Sequence, residues 1–322
     1  MDQRRFCTSA RVVVVAGKGG VGKTTVTAAL AVLAARVGLR VLIVEVEGKS
    51  GLAAAFGVPD LTYEEIDLAP GVRGRTLTPD EALVDWLEGN GFGRIARRLG
   101  TTGILDVIAT AVPGMKDILV LGKVKSIEVG GDFDLVLVDA PAAGHAVSFL
   151  TSPLGLLDAV AVGPIRQQAT DVVAMLSDPS RCQVLLVTAP EETPVREAAE
   201  TAFALEDRVG VALLPVVVNG IYPEIGGPDD DARETTIAAD AALLDVPLSL
   251  AEVEDLAAAT GFRRARRAVQ RRQAEHLAAA LPLPQLHLPF VFDADIGRVQ
   301  VEALATALSV AIGALDDVEV SG

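Results

Sequence analysis

The residues with chemistry in their spacing are Gly17-Lys18-Gly19-Gly20-Val21-Gly22-Lys23-Thr24. Two glycines bracket four residues and are followed by Lys and Thr, which is the phosphate-loop pattern. Gly17, Gly19, Gly20 and Gly22 let backbone N–H groups turn inward around an anion. The helix that begins at the end of the loop adds its partial positive charge. In this pattern Lys23 contacts the β- and γ-phosphates and the Thr24 hydroxyl ligates Mg²⁺. Val21 and Thr25 complete the expected nucleotide-binding set. Lys18 is a second lysine, directly after the first glycine. It has little room at its own nucleotide once Lys23 is there, so its expected role is across a dimer interface. There it would neutralise transition-state charge on the partner's phosphates, as an arginine finger does.

The elements needed to position this loop are legible around it. Arg11–Ala16 reads RVVVVA, a β-branched run suited to a buried strand. After Thr24, Val26, Leu30, Leu33 and Val37 recur at helical spacing. Further apolar runs lie at Val41–Val44, Leu135–Val138, Ala159–Val162, Val184–Val187 and Leu213–Val218, with helical patterns between them. Near-continuous Val and Leu runs imply strands buried on both faces. The expected fold is therefore α/β, a doubly wound, mostly parallel sheet with helices on both faces. Residues 52–130 have few β-branched runs and several helical patterns, at Asp80–Leu87, Gly93–Leu99 and Ile104–Ala111. They read as a helical insertion in a single domain spanning 1–322.

Ligands bind at the carboxyl ends of the strands in such sheets. Three segments fall there: the glycine loop, Glu45–Gly48 and Asp139–His145. Asp139 ends an apolar strand, where a carboxylate can help hold Mg²⁺. His145, in the loop that follows, suits either a phosphate sensor or a helix cap. Glu45 and Glu47 lie on the same side of an extended chain, so either could orient an attacking water. Asn219 ends the run Val216–Val218, where its amide could read the adenine edge or simply make a turn.

Composition narrows the partners. A net charge of −15 argues against general nucleic-acid binding, because phosphate backbones would repel the chain. The 2 cysteines, Cys7 and Cys182, have no metal-ligand spacing and form no disulfide framework. No window reaches the ~18 uninterrupted apolar residues of a membrane span, and no signal peptide is visible. A cytoplasmic chain is expected. Arg263–Arg267 with Arg271-Arg272 forms a basic run on an expected helix, read chiefly as a solvated face. Asp229–Asp231 reads as a solvated acidic loop.

Together these segments resemble the deviant phosphate-loop ATPases related to nitrogenase iron protein and to MinD and ParA. Within them the chain is most similar to the arsenite-pump and tail-anchored-protein-targeting ATPases, and to the actinobacterial members that occur as unlike paralogues. Lys18, Asp139 with Gly144-His145, Pro113-Gly114 and Asn219 carry the resemblance. It implies ATP and Mg²⁺ as cofactors and a nucleotide-sandwich dimer, either a homodimer or a heteromer with a paralogous ATPase. It also implies that Lys18 acts across the interface, that an aspartate after the second strand activates water, and that a membrane-associated partner protein is served. The sequence departs from the family where the usual Asp-Pro-Ala run is replaced by Glu47-Gly48-Lys49. The acid is longer by one methylene, and slow hydrolysis by this chain alone is the consequence. The family's arsenite-binding cysteines and paired zinc cysteines are not recognisable. With Met at 3 positions in the chain, a Met-rich groove for membrane helices is not expected.

Overall fold

The computed structural model describes residues 1–46, 51–91, 114–141, 143–223 and 234–315. Among them a nine-stranded sheet forms the centre. Its strands are β1 (Val12–Ala16), β2 (Val41–Val46), β3 (Ile66–Ala69), β4 (Val72–Leu77), β5 (Leu135–Asp139), β6 (Cys182–Thr188), β7 (Ala212–Leu213), β8 (Val216–Ile221) and β9 (Gln285–Pro289). The order across the sheet is β3-β4-β2-β5-β1-β6-β8-β9, with β7 paired to β6. The β3–β4 hairpin is antiparallel, and the other described pairings are parallel.

Parallel strands need both faces covered, and the alternation along each strand feeds two cores. Val12, Val14, Val136 and Val138 point to one core. It is closed by α5 (Met115–Gly130), α6 (Ala143–Ala159), α7 (Pro164–Leu176) and α8 (Glu192–Val209). Val13, Val15, Leu135 and Leu137 point to the other. That core is closed by α1 (Gln3–Cys7), α2 (Lys23–Arg36), α3 (Gly51–Phe56) and α11 (Arg298–Gly313). The expected apolar stripe on α2 widens to an unbroken buried run, Val26–Ala34. The reason is its position between the sheet and α11. A helix covered on two sides is apolar nearly all round, and its alanines let α11 approach closely.

The doubly wound α/β fold is as expected, with three corrections. Residues 52–130 are not wholly helical: they supply β3 and β4, and β4 extends the sheet beside β2. Val72-Arg73-Gly74-Arg75-Thr76-Leu77 is not an apolar run, which hid the strand. Buried Arg75 is accommodated by stacking 4.2 Å over the Tyr63 ring and pairing with Glu65. The helical reading holds at Asp80–Leu87, within α4 (Pro79–Gly89), and α5 adds a helix to the insertion, while Gly93–Leu99 and Ile104–Ala111 lie outside the described residues. Second, Ala159–Val162 is not a strand. Ala159 is the last residue of α6, partly buried Val160 packs beside the core after it, and Val162 is 82% exposed. Third, Leu213–Val218 is split into β7 and β8. Pro215 lies between them and cannot donate to a ladder. The two remaining helices among the described residues are α9 (Glu234–Leu243) and α10 (Leu250–Ala280), and α10 carries the basic run. Asp229–Asp231 lies outside the described residues.

Candidate functional site

The site forms where β1 gives way to α2. Gly17 has φ +155°, and a Cβ there would fall 2.1 Å from the Val187 carbonyl oxygen. Gly22 has φ +90°, and its Cβ would fall 2.3 Å from Asn219 Nδ2. Both approaches are to fixed neighbours in a backbone conformation that side chains resist, so glycine is required at each. The loop is thereby pressed against the ends of β6 and β8.

Lys23 opens α2, and its Nζ donates to the Lys18 carbonyl oxygen at 3.2 Å. This holds the ammonium over the loop it is expected to serve. The Thr24 hydroxyl donates to Asp139 Oδ2 at 2.6 Å. Asp139 reaches it because β5 lies beside β1 with Val15 opposite Asp139, and the carboxylate is only 5% exposed. A hydroxyl and a carboxylate meeting beside a phosphate loop are hard oxygen donors, the chemistry that suits Mg²⁺. Among the described residues no group of three or more His, Cys, Asp or Glu is placed to hold a metal ion. An ion at Thr24 and Asp139 would therefore complete its shell from water and phosphate oxygens, as Mg²⁺ commonly does.

Glu45 lies on β2 directly opposite Asp139 in the register, is 3% exposed, and accepts from the Thr76 hydroxyl at 3.3 Å. Glu47 and Gly48 lie outside the described residues. Asn219 Nδ2 donates to the Val21 carbonyl at 2.9 Å, so one N–H of its amide clamps the glycine loop. Lys18 Nζ pairs with Glu197 Oε1 on α8 of the same chain at 2.7 Å. His145 stands exposed in the first turn of α6. Gly114, at φ +80°, caps α5, and Pro113 is outside the described residues.

A cavity of ≈ 320 Å³ opens beside the loop, lined by Gly20, Gly22, Thr25, Asn219, Tyr222 and Phe290 among others. Arg266 and Gln270 of α10 line it too, and Arg266 pairs with Glu191 across it at 2.5 Å. Sequence reasoning missed the walls supplied by α10 and by the end of β9. The end of β9 was not recognised as a strand, and the basic run gave no sign of which arginines turn inward. A larger cleft, ≈ 790 Å³, lies between α10 and β9 and has no glycine-loop residue in its lining. The two thiols are buried. Burial, with Asp2 nearby, pushes Cys7 up to about 12, and burial, with Glu128 nearby, pushes Cys182 up to about 12. No helix among the described residues is long and apolar enough to cross a membrane.

Comparison with known proteins identifies the family. Residues 10–162 match the family model of the anion-transporting ATPases. The ATPase BagA of Mycobacterium tuberculosis is 32% identical over 308 residues, covering 90% of this chain and 90% of that protein. An arsenical pump-driving ATPase from Acidiphilium multivorum is 26% identical over 261 residues, covering 74% of this chain and 44% of that protein. An ATPase ASNA1 homolog from Entamoeba histolytica is 32% identical over 160 residues, covering 45% and 47%. The family-model match, and a relative 32% identical over 90% of both chains, place the chain in the anion-transporting ATPase family.

Proposed function

We propose that this chain is a Mg²⁺-dependent ATP-binding and ATP-hydrolysing switch that works as a dimer and drives a partner or client. The observation that carries the reading is the 2.6 Å contact between Thr24 and Asp139 at the mouth of the glycine loop. Gly17, Gly19, Gly20, Val21 and Gly22 would surround the phosphates with N–H donors. Lys23, already over the loop, would meet the β- and γ-phosphates once it leaves the Lys18 carbonyl. Thr24 and Asp139 would hold Mg²⁺, which neutralises charge on the phosphate oxygens during transfer. Thr25 and Asn219 would border the rest of the nucleotide. Lys18 would act on the partner's nucleotide after leaving Glu197. Residues 1–322 would work as one unit, in the cytoplasm, in a homodimer or a heteromer with a paralogous ATPase.

A second reading is favoured by Glu47-Gly48 in place of the family's Asp-Pro: a catalytically weak, nucleotide-binding subunit that regulates an active paralogue. Calorimetry with ATP, with and without Mg²⁺, tests the shared part. Binding that ignores the metal would overturn it. Turnover of the purified chain, alone and mixed with its paralogue, separates the two readings: activity alone supports the first, and activity only in the mixture supports the second.

A further inference from the structure

The end of β8 departs from regular pairing where the nucleotide cavity begins. Asn219 pairs with Leu288 and Ile221 with Pro289, and the register shifts between them. Gly220, in the gap, has φ +87°. A bulge of this kind re-aims the chain and takes backbone groups out of the ladder. Here they are taken up by one side chain from another element. Gln270 Nε2 donates to the Gly220 carbonyl at 2.9 Å, and Gln270 Oε1 accepts from the Tyr222 N–H at 2.9 Å. Gln270 is 3% exposed. A primary amide suits this task because it donates and accepts from one rigid plane.

The turn that Gln270 holds is flanked by two cavity-lining groups. Asn219 precedes it, with its amide on the Val21 carbonyl. Tyr222 follows it, with its ring stacked on Phe290 at a centroid distance of 4.9 Å. The same face of α10 reaches the neighbouring loops through Arg266, paired with Glu191 at 2.5 Å, and Arg263, whose Nη2 donates to the Pro223 carbonyl at 3.2 Å. Arg266 thus pairs with an acidic neighbour as a solvated face does, and with Arg263 it also ties α10 to the segments after β6 and β8.

We propose that Gln270 is a positioning residue for the nucleobase: by bridging Gly220 and Tyr222 it fixes the bulge that aims Asn219 and Tyr222 into the cavity beside the glycine loop. The proposal rests on the reading of that cavity as a nucleotide site. Its consequence is a division of labour. The glycine loop binds the phosphates, and α10 tunes the base end through a bulge it does not itself contain. Removing the bridge leaves the Gly220 carbonyl and the Tyr222 N–H without their protein partner and lets the turn relax. Phosphate binding depends on it less, because the glycine loop is also held where Gly17 meets the Val187 carbonyl and where Lys23 donates to the Lys18 carbonyl.

The test compares Mg²⁺-ATP with Mg²⁺-tripolyphosphate, which carries the phosphates and no base, by calorimetry on the whole chain. In Gln270→Met, nearly isosteric and without both hydrogen bonds, ATP affinity should fall about tenfold, the effect of ~1.4 kcal/mol. Tripolyphosphate affinity should stay within about twofold, well under the ~1.4 kcal/mol of a tenfold change. Gln270→Glu keeps an acceptor for the Tyr222 N–H but sets a carboxylate oxygen against the Gly220 carbonyl in a buried position, so its ATP loss should be at least as large as that of the Met variant. It also carries the test if the Met variant does not fold. Equal losses for ATP and tripolyphosphate would mean a general structural role and overturn the proposal. Unchanged ATP affinity in a folded variant would do the same. Wild-type chain that binds neither ligand would overturn the nucleotide reading and this proposal together. Wild-type chain that binds both, with variants that match it, would overturn this proposal alone.

Discussion

Lys18 Nζ and Glu197 Oε1 stand 2.7 Å apart, joining the glycine loop to α8 within one chain. The lysine expected to act between subunits is therefore held in its own. The side chains are 36% and 33% exposed, and an ion pair with that much solvent contributes little to stability, ~0.2–1 kcal/mol. A weak latch of this kind suits a residue that must change partners. Glu197→Gln should leave the unfolding midpoint nearly unchanged and strengthen nucleotide-dependent association by freeing Lys18. Lys18→Ala should retain ATP binding by the monomer and lose association or turnover. Sedimentation with ATP checks both. Identical assembly and turnover in wild type and Lys18→Ala would remove the role across the interface.

Lys23→Ala should weaken ATP binding at least about tenfold, the effect of ~1.4 kcal/mol, because it deletes the ammonium held over the loop. Calorimetry reads this directly, and equal affinity in the variant would exclude Lys23 from the site.

Asp139→Asn should reduce the Mg²⁺ dependence of binding or turnover more than it reduces folding stability. The variant keeps an oxygen for the Thr24 hydroxyl and loses the charge that would attract the metal. A Mg²⁺ titration of nucleotide affinity checks it. An unchanged metal dependence would remove Asp139 from the metal site.

The glycine loop was legible because its pattern is local: its residues are contiguous, and a strand and a helix of unmistakable pattern flank them. Asp139 was legible for a similar reason, since an apolar run ending in an acid announces a strand end. β4 was not, because Arg73 and Arg75 break the apolar signal, and Arg75 is buried only by virtue of Tyr63 and Glu65 elsewhere in the chain. Arg266 and Gln270 were hidden by a different physics. Both lie on a polar helix whose inward face is chosen by the partners Glu191, Gly220 and Tyr222, none of them near in sequence. Lys18 was found by position, but its intrachain partner on α8 could not be read, because an ion pair leaves no periodicity.

The thiols of Cys7 and Cys182 are both pushed up to about 12 by burial, each with an acidic neighbour adding to it. The thiolate is the reactive form, so native chain should resist alkylation at pH 8 while unfolded chain reacts quickly. The linkage has a definite sign. A thiol that holds its proton more tightly when folded supports the fold below its unfolded pKa, near 9.0, and that support is lost as pH rises toward 12. Stability should therefore decline across that alkaline window, and Cys7→Ser with Cys182→Ser should flatten the decline. Rapid labelling of native chain by iodoacetamide at pH 8 would contradict the burial on which this rests.

Turnover by the isolated chain should be slow, with Glu47 as the limiting position. β2 ends at Val46, so Glu47 follows the strand directly, where the resemblance places the water-activating acid. The side chain is a methylene longer than the aspartate of the family pattern, and Gly48 stands where that pattern has a stiffer proline. Both changes loosen the aim of the attacking water, and an error of about 1 Å in such a placement can cost on the order of 100-fold in rate. Glu47→Asp should then raise turnover, and Glu47→Gln should abolish what remains. If the paralogue supplies the acid, neither change will matter in the mixed complex, and activity will appear only on mixing. Steady-state phosphate release from each variant, alone and with the paralogue, distinguishes these outcomes. Robust turnover by the single chain that is indifferent to Glu47→Gln would defeat both. It would direct the next substitution to Glu45, which lies buried beside Asp139 with the Thr76 hydroxyl donating to it.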